Sequence, residues 1–325
     1  MDPTLACRLI RASNLAYGIN TAGNGFEPLE PYTTLVQEIG FQPGTLHFNR
    51  PNEVDACYWG ETIDGAIILA FRGTLPPGLA RENLAEFFAV LFDWLNDADI
   101  LQVKGQDLAG RVHAGFLRSL DALWPLLGLD ALRAAVAAGK KLYVTGHSKG
   151  ASLAFLAAYR LTYTGIKPNA IYTFAAARPG DRDFKTAYDQ VCPPTWRFEY
   201  RDDVVPHLPP QTGGWLDALQ VHRAAATKFP AEAPHLTAPS DVMAAAERLI
   251  SRLETVSLPQ YFSAGTLAFI DWSNPPILET DSLTLTLERE FSLAAKFAEL
   301  RLAEIAQDHS ASGGYTTGAC GAATV

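Results

Sequence analysis

Residues Lys140 to Tyr159 constrain the fold more than any other stretch. Lys140-Lys141-Leu142-Tyr143-Val144-Thr145 reads as a short buried strand, Gly146-His147-Ser148-Lys149-Gly150 as a sharp turn, and Ala151 to Tyr159 as an Ala/Leu-rich helix. A strand that becomes a helix within so few residues strains the backbone at Ser148, and a side chain at either glycine would collide with strand or helix. The Ser148 hydroxyl is thereby held at the strand tip. The backbone N–H of Lys149 opens the helix and points to where an oxyanion would form. This is the pattern of a nucleophile elbow, and it implies an α/β fold with a central, mostly parallel sheet flanked by helices.

With 325 residues and 48% apolar content, the chain is long enough for one large α/β domain with insertions. The net charge of -9, with no Lys/Arg cluster, excludes a nucleic-acid partner. Cys7, Cys57, Cys192 and Cys320 are too few and too scattered for a disulfide framework or a CxxC metal site. They read mainly as buried free thiols, with Cys7 to Cys320 the one pairing that would join the two ends. No cofactor or metal is expected. The N-terminus has an acid at Asp2 and no apolar h-region, so no secretory leader is expected. No run approaches the roughly 20 apolar residues of a membrane span, so the encoded chain is expected to be soluble, with no transmembrane segment.

Along the chain, Leu5, Leu9, Ile10 and Leu15 predict an amphipathic helix lying on the sheet, and Tyr32 to Gly40 a second helix or loop. Val54 to Glu61 and Ala66 to Phe71 form a hairpin around Asp64-Gly65. The second run is apolar throughout, as in a central strand covered on both faces. It ends in Arg72-Gly73-Thr74, where a hydroxyl and a backbone N–H could meet a reacting carbonyl. Next, Leu84, Phe87, Phe88, Leu91 and Leu95 recur at helical spacing between Pro/Gly hinges, and the segment from Leu75 to about Asp99 reads as a mobile lid. From Arg111 a helical stretch runs to Gly139, broken at Pro125 and Gly128. Ala170 to Phe174 and Thr195 to Tyr200 are strands, with a helix from Asp183 to about Val191 between them. An insertion spans about 211–281, with a helix near Asp241 to Glu254. One long helix is predicted from Asp281 to Ala306, followed by Asp308-His309 and a Ser/Gly/Thr tail.

A serine hydroxyl needs a neutral imidazole to take its proton and a carboxylate to orient that imidazole. In chains with such an elbow these residues arrive in the order Ser, Asp, His. Asp203, following a strand in Arg201-Asp202-Asp203-Val204-Val205-Pro206, fits the second slot. His47 and His113 precede the serine, His147 adjoins it, and His207 lies too close to the acid. His222, His235 and His309 remain as candidates for the base.

Several ordered segments together resemble the class 3 lipases, typified by the secreted filamentous-fungal lipases. They are Ile68-Leu69-Ala70-Phe71-Arg72-Gly73-Thr74, Val112-His113-Ala114-Gly115-Phe116, Val144-Thr145-Gly146-His147-Ser148-Lys149-Gly150, Tyr172-Thr173-Phe174, Arg178-Pro179-Gly180, and Arg201 through Pro210. Asp308-His309 with Thr317-Gly318 and Cys320 is similar to the family's C-terminal end. The resemblance implies an α/β-hydrolase fold with a helical lid and a triad of Ser148, Asp203 and His309. It implies oxyanion donors at Thr74 and the Lys149 N–H, and a lid at about 75–99 with Trp94 similar to the family's lid tryptophan. This chain departs from the family in having Lys149 where leucine is usual, in a longer lid segment, and in a longer span from Asp203 to His309. Neither the leader nor the dense disulfides of the secreted members are expected here.

The expected function is hydrolysis of carboxylic esters of glycerol, with a lipid or ester substrate met at a lipid–water interface. The same triad would serve a feruloyl-type esterase acting on soluble esters or a phospholipase; a non-catalytic lipid-binding relative would have a broken triad.

Overall fold

The computed structural model describes residues 1–74, 100–209, 251, 259–273, 278–299 and 301–321. Its strands are β1 (His47–Asn49), β2 (Cys57–Glu61), β3 (Ile67–Phe71), β4 (Gln102–Val103), β5 (Val112–His113), β6 (Leu142–His147), β7 (Ala170–Phe174), β8 (Thr195–Tyr200), β9 (Thr266–Ile270) and β10 (Leu278–Glu279). Eight of them form one sheet in the order β1-β2-β3-β6-β7-β8-β9-β10. From β3 to β9 all neighbours run parallel, and the antiparallel pairs lie at the two edges. The register sets Phe71 beside Gly146, His147 beside Phe174, and Phe174 beside Phe198. The C-terminal ends of the central strands therefore meet on one edge, where α/β sheets carry their sites.

The apolar run of β3 is covered on both faces, as expected. Ile67, Leu69 and Phe71 join one core and Ile68 and Ala70 the other, because strand side chains alternate between faces. The hairpin before it turns at Gly65, whose φ of 80° suits glycine, and Thr62 N–H donates to the Ala66 carbonyl at 2.7 Å.

Helices α1 (Pro3–Leu15) and α2 (Tyr32–Ile39) cover one face. Asp2 caps α1 by accepting from the Leu5 N–H, and the helix buries Leu9, Ile10 and Leu15. Helices α3 (Ala114–Leu123), α4 (Leu129–Ala137), α5 (Lys149–Tyr163) and α6 (Arg182–Val191) follow, and both faces of α5 are buried almost throughout. The expected helix from Arg111 begins only at Ala114, because Val112 and His113 pair with Gln102 and Val103 first.

Four further features differ from the sequence reading. The helix expected over Asp281 to Ala306 is two, α7 (Leu283–Ala298) and α8 (Leu302–Asp308). Glu299 caps α7 through its N–H to the Ala295 carbonyl, and Arg301 leaves helical geometry at ψ 50°. Every residue at this break is a competent helix former, so the local sequence does not announce it. The expected tail instead folds into a π-helical turn (Ala311–Tyr315) and α9 (Thr316–Gly321), burying Ala311, Tyr315 and Ala319. Cys7 and Cys320, read mainly as free thiols, form a disulfide between α1 and α9, whereas Cys57 and Cys192 are free. In the span expected as an insertion, residues 266–270 are β9, a strand of the main sheet. The expected lid at 75–99 and the helix near 241–254 lie outside the described residues. Among the described residues no helix is long and apolar enough to cross a membrane.

Candidate active site

Ser148 sits between β6 and α5 with φ 59° and ψ −132°, the strained conformation that the elbow requires. The flanking glycines are forced by space. A Cβ on Gly146 would lie 2.3 Å from the Gly150 carbonyl oxygen, and one on Gly150 would lie 2.2 Å from that of Phe71. The Ser148 N–H donates to the Phe174 carbonyl at 2.9 Å, fixing the turn to the neighbouring strand.

Asp203 comes from the turn after β8, where Arg201 takes φ 43° and the Asp203 N–H closes on the Tyr200 carbonyl at 3.0 Å. His309 follows α8. Its Nδ1 lies 3.0 Å from both Asp203 carboxylate oxygens and its Nε2 lies 3.0 Å from Ser148 Oγ. All three side chains are buried. A carboxylate only accepts, so Nδ1 of the neutral ring carries the proton and donates it to Asp203. Nε2 then offers its lone pair to the Ser148 hydroxyl.

The alternatives considered for these places go elsewhere. Asp202 turns away from His309 toward Lys296 Nζ at 2.7 Å and the Trp272 indole N–H at 3.0 Å. His47 stacks on Trp59, and His113 stacks on Phe116. His207 is buried in the turn after Asp203, and burial beside Arg178 pushes its imidazole down to about 3. His222 and His235 lie outside the described residues, as do Leu84, Phe87, Phe88, Leu91 and Trp94.

A Cβ on Gly73 would come 2.8 Å from the His147 carbonyl oxygen, which places Thr74 just beyond the elbow. The Thr74 hydroxyl is buried without a hydrogen-bond partner among the described residues. Such a group is costly unless something else bonds it. The Lys149 N–H is the first of α5 and has no intrahelical acceptor. The Lys149 side chain turns away to Asp55 at 2.7 Å. Burial would raise the Asp55 carboxyl, but the Lys149 ammonium outweighs it and holds Asp55 below the usual carboxylate range.

Other residues around the three carry no local sequence signal. His147 is buried, with Nδ1 2.8 Å from the Tyr17 hydroxyl and Nε2 2.9 Å from the His309 carbonyl. Burial, then the neighbouring His309, holds its imidazole far below the usual histidine range. It is therefore neutral, and because a carbonyl cannot donate, Nε2 carries the proton and Tyr17 donates to Nδ1. Tyr315 donates to Asp203 Oδ2 at 2.7 Å and accepts from the Tyr200 N–H at 3.1 Å. Gly73 is part of the same arrangement, since a Cβ there would lie 2.1 Å from the Tyr17 hydroxyl. Tyr315 lies in the stretch whose sequence reads as a tail, and Tyr17 at the end of one that reads as a surface helix.

Residues 69–213 match the class 3 lipase family model. Over that stretch the chain is similar to the class 3 lipases. A Caenorhabditis elegans lipase is 37% identical over 103 residues, which are 31% of this chain and 29% of the relative. The secreted mono- and diacylglycerol lipase 1 of Fusarium solani is 33% identical over 140 residues, 38% of this chain and 40% of the relative. The chain thus matches less than half the length of these curated relatives. The crystal structure of the Rhizopus microsporus var. chinensis lipase superposes with a TM-score of 0.57 at 17% identity, covering 90% of this chain and 84% of that one. The Rhizomucor miehei lipase propeptide complex gives 0.55, also at 17% identity, over 90% and 75%. The fold is that of the α/β-hydrolases, shared with these lipases.

Proposed function

We propose that this class 3 lipase relative is a carboxylic ester hydrolase acting on glycerol esters of fatty acids, a triacylglycerol lipase working through an acyl-Ser148 intermediate. The observation that carries this reading is the continuous relay from Ser148 Oγ through His309 to Asp203. As Oγ bonds to the ester carbonyl carbon, His309 Nε2 takes its proton and Asp203 balances the imidazolium. The carbonyl oxygen, now an oxyanion, accepts from the Lys149 N–H and the Thr74 hydroxyl. On collapse, the bond to the glycerol oxygen breaks and His309 returns the proton to that oxygen. Water then attacks the acyl-serine as His309 takes its proton, the acyl bond to Ser148 Oγ breaks, and His309 passes that proton to Oγ, releasing the fatty acid and restoring the Ser148 hydroxyl.

A buried hydroxyl with no partner among the described residues, as at Thr74, is what a preorganised oxyanion donor presents before substrate arrives, because it makes its bond only when charge develops. Thr74→Val should raise the barrier by about 2.7 to 4 kcal/mol. Unchanged turnover in a folded Thr74→Val protein would remove Thr74 from this role.

In this reading the segment 75–99, with Leu84, Phe87, Phe88, Leu91 and Trp94, serves as a lid that exchanges contact with the protein for contact with lipid at a lipid–water interface. At about 0.8 kcal/mol per buried CH₂, a few side chains are enough to tip that exchange. The deciding measurement is initial hydrolysis rate against glycerol-ester concentration, carried through the substrate's solubility limit, for the wild type and Ser148→Ala. A jump at the limit that is absent in Ser148→Ala is the expected result. Smooth saturation below the limit would make the protein a soluble-ester hydrolase, and no Ser148-dependent hydrolysis would overturn the reading.

A further inference from the structure

The residues that precede Asp203 and His309 in the chain each carry a carboxylate, and both carboxylates converge on one cation. Lys296, near the end of α7, lies 2.7 Å from Asp202 Oδ2 and 3.0 Å from Asp308 Oδ2. Asp202 adjoins Asp203, and Asp308 adjoins His309. The two loops also touch directly, as the Asp202 N–H donates to Asp308 Oδ2 at 3.3 Å. We propose that Lys296 is a positioning residue for the hydrolysis described above, an ionic brace that holds the Asp203 and His309 loops in register; this rests on that functional reading.

The balance of charge is what makes a brace necessary. Lys296, Asp202 and Asp308 are all buried, and one ammonium faces two carboxylates. Without the ammonium, two buried negative charges would face each other across the loops that must keep His309 3.0 Å from Asp203. Like charges repel strongly where water is scarce, and a misplacement of about 1 Å in a catalytic group costs on the order of 10²-fold in rate. The other groups facing the cluster do not replace Lys296. Trp272 donates one neutral hydrogen bond to Asp202. Arg301 forks onto Glu304, and Glu304 itself reaches Lys296 at 3.6 Å. Arg201 lies over the Tyr200 ring. A cavity of about 540 Å³ opens beside the cluster, lined by Lys296, Asp202, Asp308, Arg301 and Trp272 among others, so protons reach it from solvent.

Burial, with Asp202 adding to it, pushes the Asp308 carboxyl up to about 6 despite Lys296. Burial would lower the Lys296 ammonium, but the two carboxylates outweigh it and raise it. The asymmetry has a plain cause: the lysine gains from both partners, while Asp308 shares that lysine with Asp202.

The test compares kcat and KM from pH 5 to 8 for the wild type, Lys296→Met and the double variant Lys296→Met/Asp308→Asn. Lys296→Met should lower kcat by roughly 10- to 100-fold near pH 8, with KM changed by less than about twofold. The deficit should shrink as pH falls, because a proton on one carboxylate relieves the repulsion. The double variant removes the ammonium and one carboxylate together, and the amide introduced at position 308 can donate to Asp202, so kcat should recover to within about fivefold of the wild type. A merely structural lysine would give a deficit that neither changes with pH nor recovers in the double variant. Either that result or wild-type kcat in Lys296→Met at every pH overturns the brace. If Lys296→Met does not fold, a folded double variant with less than about a tenth of wild-type kcat overturns it instead. Loss of wild-type activity in Ser148→Ala establishes the underlying reading separately, so a negative result at Lys296 falls on the brace alone.

Discussion

Two polar networks support the His309–Asp203 pair, one by direct bonds and the other through the adjoining Asp308 and Asp202, and they are built from different chemistry. In one, Tyr17 donates to His147, which in turn donates to the His309 backbone carbonyl, while Tyr315 donates to the Asp203 carboxylate. Apart from Asp203, every group there is neutral. Burial holds the His147 imidazole far below its usual range and the Tyr17 and Tyr315 phenols above theirs. In the other, Lys296 joins Asp202 and Asp308, and burial brings Asp308 up to about 6. The neutral network thus keeps one hydrogen-bond pattern across the working range. The ionic network changes charge within it.

The largest expected effect comes from removing the one charge that the neutral network serves. In Asp203→Asn an amide N–H₂ must face a donor, either Tyr315, the Val205 N–H at 2.9 Å, or His309 itself. The Val205 N–H only donates and so holds the amide oxygen at the Oδ1 place; the N–H₂ then takes the Oδ2 place, 3.0 Å from His309 Nδ1 and beside the Tyr315 hydroxyl, which can turn to accept. The proton moves to Nε2, and the ring can no longer accept from Ser148. A fall of about 10⁴ in kcat with the fold intact is the expected outcome for a wrong tautomer. A loss of less than tenfold would show that the neutral network does not set the tautomer of His309.

A smaller effect tests the ionic side through stability. The folded-state value of Asp308, about 6, lies above its ordinary 3.8, so the folded protein holds that proton longer than the unfolded chain does. Stability therefore falls as pH rises from near 4 to near 6, and the cost of the buried charge is complete above that window. The shift corresponds to at most about 3 kcal/mol, reduced because Lys296 loses a partner in the variant. Asp308→Asn should accordingly raise the denaturant midpoint at pH 8 and leave it nearly unchanged at pH 4. Destabilisation at pH 8 would mean that the Lys296–Asp308 pair is net favourable, and that the contrast between the two networks lies in geometry rather than in burial cost.

The same division explains what the sequence could reveal. The elbow was legible because its demands are local: Gly146 and Gly150 have backbone where a Cβ would sit, and both are marked by their own residue type. Strand β3 was legible because both of its faces are covered, which leaves an unbroken apolar run. The networks around His309 depend on residues far apart in the chain. Tyr17 meets His147 across 130 positions, and Tyr315 meets Asp203 across 112. No spacing rule connects such pairs. Even the break between α7 and α8, which aims Asp308 at Lys296 and His309 at Ser148, occurs among good helix formers and reads as continuous helix until the partners are seen.

The smallest effect is the sharpest probe of the neutral side. Tyr315→Phe keeps the ring in its buried place and removes only the hydroxyl that donates to Asp203 and accepts from the Tyr200 N–H. Asp203 retains the Val205 N–H and His309 as donors, so the carboxylate stays in position with one hydrogen bond fewer. A bond to a charged acceptor is worth about 1.5 to 3 kcal/mol, and only the part that differs between ground and transition states reaches kcat. A fall of roughly tenfold, about 1.4 kcal/mol, is expected. Its pH dependence should be flat relative to the wild type, because no group that titrates in the working range is added or removed, in contrast to the pH-dependent deficit expected of Lys296→Met. If the Tyr315→Phe deficit instead followed pH through the region near 6, the two networks would be coupled through the Asp202–Asp203 backbone, and their separation into neutral and ionic halves would fail.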